Sequence, residues 1–249
     1  MKFTGVTKMI FQYENTVQIN DASVEGKILP SALFRYFQQA AILHSDFVGY
    51  THEKFIAMER VWMLSKLGYR LLDDISLNDR LKVQTWSLGM QRFRGFREFR
   101  VLRYNKPVCV ASSVWLFLDT VKKRPSKVEP ELPLAYELET PSEDVLILSE
   151  NKPELPEDGS PSCVISTRFR DFDINSHLNN TVYSEYVMEA CGNILGKNVN
   201  FSEFSVEFSH EIPLGTKEAE IALQKKDKGW IFSVKSGARV NAAGTFILS

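Results

Sequence analysis

Cysteine is scarce in this chain. Three occur in 249 residues, Cys109, Cys163 and Cys191, and no two form a CxxC pair, so neither a disulfide framework nor a thiolate zinc site is expected. A basic excess is missing as well. The 30 Lys and Arg against 31 Asp and Glu leave a net charge of −1, which argues against a general nucleic-acid binder. No run approaches the ~18 consecutive apolar residues of a membrane span. The opening stretch MKFTGVTKMIFQYENTV has no apolar core followed by a cleavage site, and Glu14 comes early, so neither secretion nor an organelle transit peptide is expected. A reducing, cytoplasmic setting fits these omissions. GxSxG and HExxH are absent too, which weakens the serine-hydrolase and zinc-protease readings. Cys191 lies well inside a helical pattern, where a small buried hydrophobe is the ordinary role.

What is present is globular. Hydrophobic residues make up 44% and charged residues 24%, and the length suits one large domain or two of ordinary size. Seven of the ten prolines fall between Pro125 and Pro161, in an acid-rich stretch that reads as a linker crossing the surface, with one short ordered piece at Val145 to Leu148. On either side the same order of elements recurs. A strand (NTVQIND) and a helix (SALFRYFQQAAILHSDFVG) precede four strands in the first half. In the second, CVISTRFRD and TVYSEYVMEACGNIL precede four more. SKLGYRLLDDISLNDRLKV lies over SEFSVEFSHEIPLGTKEAEI without a gap, which sets Asp74 over Glu211. In the first helix Leu33, Phe34, Phe37, Ala41 and Ile42 are read as the buried face. A sheet wrapped around each helix gives a pair of α+β domains.

One stretch, DFDINSHLNN from Asp171 to Asn180, is denser in polar groups than a turn requires. Asp171, Asp173, Asn175 and His177 alternate, so an extended segment puts them on one face. Asn180 is placed to cap the helix that follows. The bland reading is a set of Asx-turn and capping residues. The start D-x-D-x-N matches a calcium loop, but Ser176 and Val182 stand where Gly and Glu are required. His44, His52 and His210 are too scattered for a zinc site. Acid–base chemistry remains, beside a helix start whose N–H groups suit a developing oxyanion. Taken alone, Glu211 reads as a solvated acid at a strand end. The first half carries NDASVEGKILPSA at the equivalent place, with Asp21 but no Asn-x-His, so only one half is chemically equipped.

The segment DFDINSHLNNTVYSEYVME resembles the D-x-D-x-N-x-H-x-N-N motif of the acyl-acyl carrier protein thioesterases of plant plastids and bacteria. WMLSKLGYR, VQTWSLG and SSVWLFLDTVKKRPSKV resemble the same family's W-x-L, T-W and W-x-x-x-D-x-x-x-R-P landmarks, in the same order, from about Tyr13 to the C-terminus. The resemblance implies a tandem (double) hotdog fold, each unit a long helix wrapped by an antiparallel sheet. It divides the chain into a hotdog domain at 1–130, a linker at 131–160 and a second hotdog domain at 161–249.

By the motif, Asp173, Asn175 and His177 take the family's catalytic positions. The family's R-R-E-C segment matches Ser209-His210-Glu211-Ile212, which adds Glu211 and puts Ile212 where a cysteine is frequent. The implied reaction is attack by water on an acyl carrier protein thioester, releasing a fatty acid and ending its synthesis, with no metal or cofactor. In this reading Glu211 and Asp173 handle the water, or Asp173 holds His177 in its working tautomer. Asn175 fixes the water or the carbonyl. The first half is expected to hold the acyl chain, with Phe37, Ile42, Trp62 and Met63 as lining. Acyl carrier protein, acidic in general, is the expected partner, docking on Arg92, Arg94 and Arg97 or on Lys122, Lys123 and Arg124. Neither nucleic acid nor stable membrane insertion is expected, and a homodimer is compatible with the reading. The rivals are a hotdog hydratase or dehydratase and a non-catalytic acyl-binding module.

Overall fold

The structure is a computed structural model that describes residues 10–137, 139, 146 and 148–249. In chain order it runs β1 (Phe11–Thr16), α1 (Pro30–Phe47), α2 (His52–Ala57), β2 (Arg60–Leu71), β3 (Arg80–Gln91), β4 (Arg94–Arg103), β5 (Lys106–Asp119), β6 (Arg124–Pro125) and α3 (Glu131–Ala135). The second half has β7 (Ser162–Ser166), α4 (Val182–Leu195), β8 (Phe201–Phe208), β9 (Glu218–Lys226), β10 (Gly229–Ser236) and β11 (Arg239–Leu248). β1 and β7 end earlier than the sequence pattern suggests, because the chain goes into 3₁₀ turns at Ile19–Asp21 and Phe169–Asp171.

The halves do not form separate sheets. Their strands join in one antiparallel sheet, ordered β1-β3-β4-β5-β2-β8-β11-β10-β9-β7, with β6 paired to β5. At the seam Gly68 faces Ser205, while Lys66 faces Glu207 and Arg70 faces Glu203. Gly68 overlays Ser205 in the internal repeat, so the pseudo-twofold axis passes through this pair. A Cβ on Gly68 would come within 2.9 Å of both Ser205 Cβ and Leu148 Cδ2, which leaves glycine as the residue that lets the seam close.

The axis relates more than the sheet. Leu178 N donates to Ile212 O in the second half (2.8 Å) and Ile28 N to Ile75 O in the first (2.9 Å). The gapless overlay holds through this region and then slips by one residue. Asn15 pairs with Leu81 and Ile165 with Ala219, so a single insertion enters ahead of β9.

Both long helices lie on one face of the sheet. Pro30 opens α1, where its missing N–H costs nothing. Leu33, Phe34, Phe37 and Ala41 are buried as the periodicity requires, but Ile42 is 54% exposed. Five residues beyond Phe37 is about 140° round a helix of 3.6 residues per turn, which turns Ile42 to solvent. Phe34, Tyr69, Phe204, Phe232 and Phe246 fill a core that runs continuously under both halves.

The proline-rich stretch is ordered at its start. Leu132 and Tyr136, on and just after α3, are buried, and Leu132 packs with Tyr50, Phe117 and Val128 in a second apolar cluster. Proline at Pro130 and Pro133 suits the first turn of so short a helix. Beyond it, Lys66 Nζ bonds Ser149 O, Leu223 N bonds Pro161 O and Lys226 pairs with Glu154. Of the expected ordered piece, Val145 and Ile147 lie outside the described residues, and Leu146 is buried.

Candidate active site

Asp171 builds the loop from its base. Its buried carboxylate accepts from Arg168 N (2.8 Å), Arg168 Nε (3.0 Å) and the hydroxyl of Tyr186 (2.8 Å), and its carbonyl accepts from Asn179 N (2.9 Å). Burial works to raise this carboxyl, but those donors outweigh it and hold the group below its ordinary value. The same hub stands in the first half, where Asp21 receives Tyr36, Arg35 and Gln18 N. Sequence reading missed the tyrosines. The signal was the spacing, fifteen residues from aspartate to tyrosine in both halves.

Within the closed loop, Asp173 Oδ1 accepts from Asn175 N (2.8 Å) and His177 N (3.4 Å), an Asx-turn that curls the chain back. Ser176 sits at φ +61°, the left-handed region, where the first half has Gly26 at +74°. The carboxylate of Asp173 thus binds the loop's backbone. Asn175 is exposed, its amide 3.5 Å from Asp173 Oδ2.

A short bridge between His177 and Pro213 then brings in the turn after β8. It sets His177 Nε2 3.1 Å from Glu211 Oε2, with the two side chains 35% and 54% exposed. The carboxylate facing the imidazole is therefore Glu211. All four residues expected from the motif share one loop cluster. Asn180 does not cap α4: Thr181 precedes the helix, and Asn179 Oδ1 accepts from Thr181 N and Thr181 Oγ1, each at 2.9 Å, in an Asx turn ahead of it. The first half repeats the arrangement with Lys27 ion-paired to Asp74.

The other expected residues scatter. Phe37 lies in the main core against Phe99, and Trp62 in the second cluster against Phe117. Met63, next to Trp62 on β2, points to the opposite face of the sheet, and Ile42 faces solvent. Neither therefore lines the interior of the first half. Arg92, Arg94, Lys122, Lys123 and Arg124 are exposed. Arg97 is not. It is buried, bonded to His44 Nδ1 (2.8 Å) and Thr85 Oγ1 (3.1 Å), with its guanidinium over Tyr136. Phe99, two residues on, fixes that side of β4 as the core side. Arg97 is thus no docking residue.

A cleft of about 410 Å³ runs between β7 and α4, bordered by Ile165, Arg168, Glu185 and Tyr186. None of the four motif residues lines it. Among the described residues no three His, Cys, Asp or Glu side chains gather as metal ligands. No described helix is long and apolar enough to cross a membrane.

Comparison with known proteins bears on both halves. The acyl-ACP thioesterase N-terminal domain model matches residues 8–136 and the C-terminal domain model residues 157–243. The chain belongs to the acyl-ACP thioesterase family.

It is 24% identical over 198 residues to a chloroplastic dodecanoyl-[acyl-carrier-protein] hydrolase of Cinnamomum camphora, covering 72% of this chain and 50% of that one. It is 20% identical to a chloroplastic palmitoyl-acyl carrier protein thioesterase of Cuphea hookeriana, covering 73% and 47%. The chain spans about half the length of these curated relatives. Among solved structures it resembles an acyl-ACP thioesterase from Bacteroides thetaiotaomicron VPI-5482, with TM-score 0.86, 20% identity and coverage of 96% and 98%. It also resembles a 12:0-ACP thioesterase from Umbellularia californica, with TM-score 0.82, 16% identity and 99% of each chain. Both are likenesses of fold, and they bear out the tandem hotdog architecture of the acyl-ACP thioesterase family.

Proposed function

We propose that this chain hydrolyses acyl carrier protein thioesters to free fatty acid and holo-carrier protein. Membership of the acyl-ACP thioesterase family supports the reaction class. The observation that carries the chemistry is the contact of His177 Nε2 with Glu211 Oε2 at 3.1 Å, on a loop beside a helix start. Glu211 accepts Nε2–H, which fixes the neutral tautomer with its lone pair on Nδ1. That nitrogen takes a proton from water as the water oxygen bonds the thioester carbonyl carbon. The C–S bond then breaks and the imidazolium returns the proton to the departing thiolate. A base of this kind contributes roughly 10²–10⁴-fold. The amide of Asn175 polarises the carbonyl, and Asp173 holds the loop that carries it.

The acyl chain, in this reading, enters the first half. Trp62 and Phe117 belong to an apolar cluster at the end of the sheet where β2 begins and β5 finishes. β8 runs antiparallel to β2 and finishes at that same end, ahead of Glu211. Arg92, Arg94, Lys122, Lys123 and Arg124 crowd the turns there and suit an acidic carrier. A reducing, cytoplasmic setting accords with three free cysteines. The test is release of free thiol from acyl-carrier protein, run beside hydration of the matching enoyl thioester. Hydration without thiol release would replace hydrolysis with a hydratase reading.

A further inference from the structure

The loops that overlay in the two halves leave the same apolar side chains in water. Phe169 is 86% and Ile174 90% exposed around the His177 loop, with Leu214 at 47%. Their counterparts are Ile19 at 77%, Val24 at 89% and Leu77 at 37%. These residues bracket the site. Phe169 opens the 3₁₀ turn, Ile174 lies between Asp173 and Asn175, and Leu214 N donates to Ser176 O at 2.8 Å. Exposed large hydrophobes gathered in one place mark interaction surfaces.

The charges around the two sets differ. Arg168, Arg170, Lys217 and His210 occupy the catalytic half, where the first half has Gln18, Asn20, Asp79 and Asp73. Arg168, Arg170, Lys217 and His210 are all exposed, Arg168 while paired with Asp171 and Glu185, and Arg170 and Lys217 with no ion pair among the described residues. The first half thus acts as an internal control: it keeps the exposed apolar positions and has no Arg or Lys at the places of Arg168, Arg170 and Lys217, while its own Lys27 and Arg35 are paired with Asp74 and Asp21. Apolar centres with polar rims are the ordinary anatomy of a protein interface, and rim charges select and steer the partner. A lipid surface is the poorer occupant. Polybasic lipid contacts cluster four to eight Lys and Arg, about twice what stands here, and Asp173 and Glu211 lie in their midst.

We propose that Phe169, Ile174 and Leu214, rimmed by Arg168, Arg170 and Lys217, form the surface on which the acidic carrier protein docks to deliver its thioester to His177. The proposal rests on the thioester-hydrolase reading and adds a docking site distinct from the arginine and lysine cluster of the first half.

The test compares one acyl group on carrier protein and on free pantetheine, in the full chain. Phe169→Ser and Arg170→Glu should each lower the ratio of kcat/KM for carrier-bound over pantetheine-bound acyl by about 10-fold, on the scale of one interface contact. The effect should sit in KM. Arg170→Glu should exceed Arg170→Gln, and added salt should shrink the gap. Ile19→Ser and Asn20→Glu, the matching changes in the first half, should leave the ratio within about 2-fold. An unchanged ratio in the Phe169 and Arg170 variants, or an equal drop from the first-half pair, overturns the proposal. So does a loss of binding to phosphatidylglycerol vesicles with carrier kinetics intact, which would make the patch a lipid contact. A wild-type chain that cleaves neither substrate removes the hydrolase reading itself, an outcome distinct from an unchanged ratio.

Discussion

His177 reaches Glu211 across a single bridge between the loop before α4 and the turn after β8, and Lys27 meets Asp74 across the matching bridge in the first half. One scaffold thus holds an imidazole–carboxylate pair and an ammonium–carboxylate pair. An ammonium at neutral pH has no lone pair to take a proton from water; the imidazole has one. His177→Ala and Glu211→Gln should each reduce kcat by roughly 10²-fold or more, while Lys27→Ala and Asp74→Asn change it by less than about 2-fold. Thermal melts should barely separate the four variants, because exposed ion pairs contribute only ~0–1 kcal/mol. Steady-state kinetics on all four checks this. Comparable losses from both halves would mean the chemistry is shared between them.

Asp173 binds the loop backbone, so its charge matters less than its acceptor oxygen. Asp173→Asn keeps an acceptor and should cost about 10-fold in kcat; Asp173→Ala removes it and should cost about 10²-fold. If Asn and Ala proved equally damaging, the carboxylate charge itself would be required, and Asp173 would act on water or on the imidazole.

The strands and long helices were legible because alternation and the 3.6-residue period survive in each, from FREFRVLRY on β4 to TVYSEYVMEACGNIL on α4. The seam was not. Nothing in the pattern of either β2 or β8 says that a fully paired strand has its neighbour in the other half rather than its own. The motif loop was legible as a polar cluster, and resemblance alone raised Glu211 above an ordinary surface acid. The Asx-turn that closes the loop depends on a hub that joins Asp171, the first residue of the motif, to Tyr186 on α4 beyond its end. Arg97 was misread although its evidence was local: parity with Phe99 and Val101 assigns it to the core side of β4.

Cysteine takes no part in the proposed chemistry, and the environment of each thiol says why. Ile212 fills the place beside Glu211 and is fully buried. Burial pushes Cys109 far above the thiol range and Cys191 up to about 12, and it raises Cys163 as well. None of these supplies thiolate near neutral pH. Iodoacetamide at pH 7.5 should leave most activity, and a variant with all three cysteines replaced by Ala or Ser should stay active. Rapid-quench trapping of an acyl group on any cysteine would sink attack by water.

A histidine away from the site should set the pH dependence of stability. His44 is fully buried on α1, stacked on Phe11 and bonded through Nδ1 to Arg97. Burial, and then the charge of Arg97, lower its imidazole from 6.5 to about 3. The unfolded chain takes up this proton below pH ~6.5, and the folded chain does not until near pH ~3. Stability therefore falls as pH drops through that interval, by up to ~1.4 kcal/mol per unit from this group. Asp21 and Asp171 are held below the ordinary carboxylate value by their hydrogen bonds, against burial. Their stabilisation is present above an unfolded value of 3.8 and lost only as pH falls below it. The window from pH 6.5 to 4.5 thus isolates the histidine from these two aspartates. His44→Gln keeps an acceptor for Arg97 without a titrating ring, and its urea-unfolding free energy should decline less steeply across that window than the wild type's. Parallel slopes for the two proteins would show that His44 takes up its proton in the folded state, and that Arg97 does not hold it neutral.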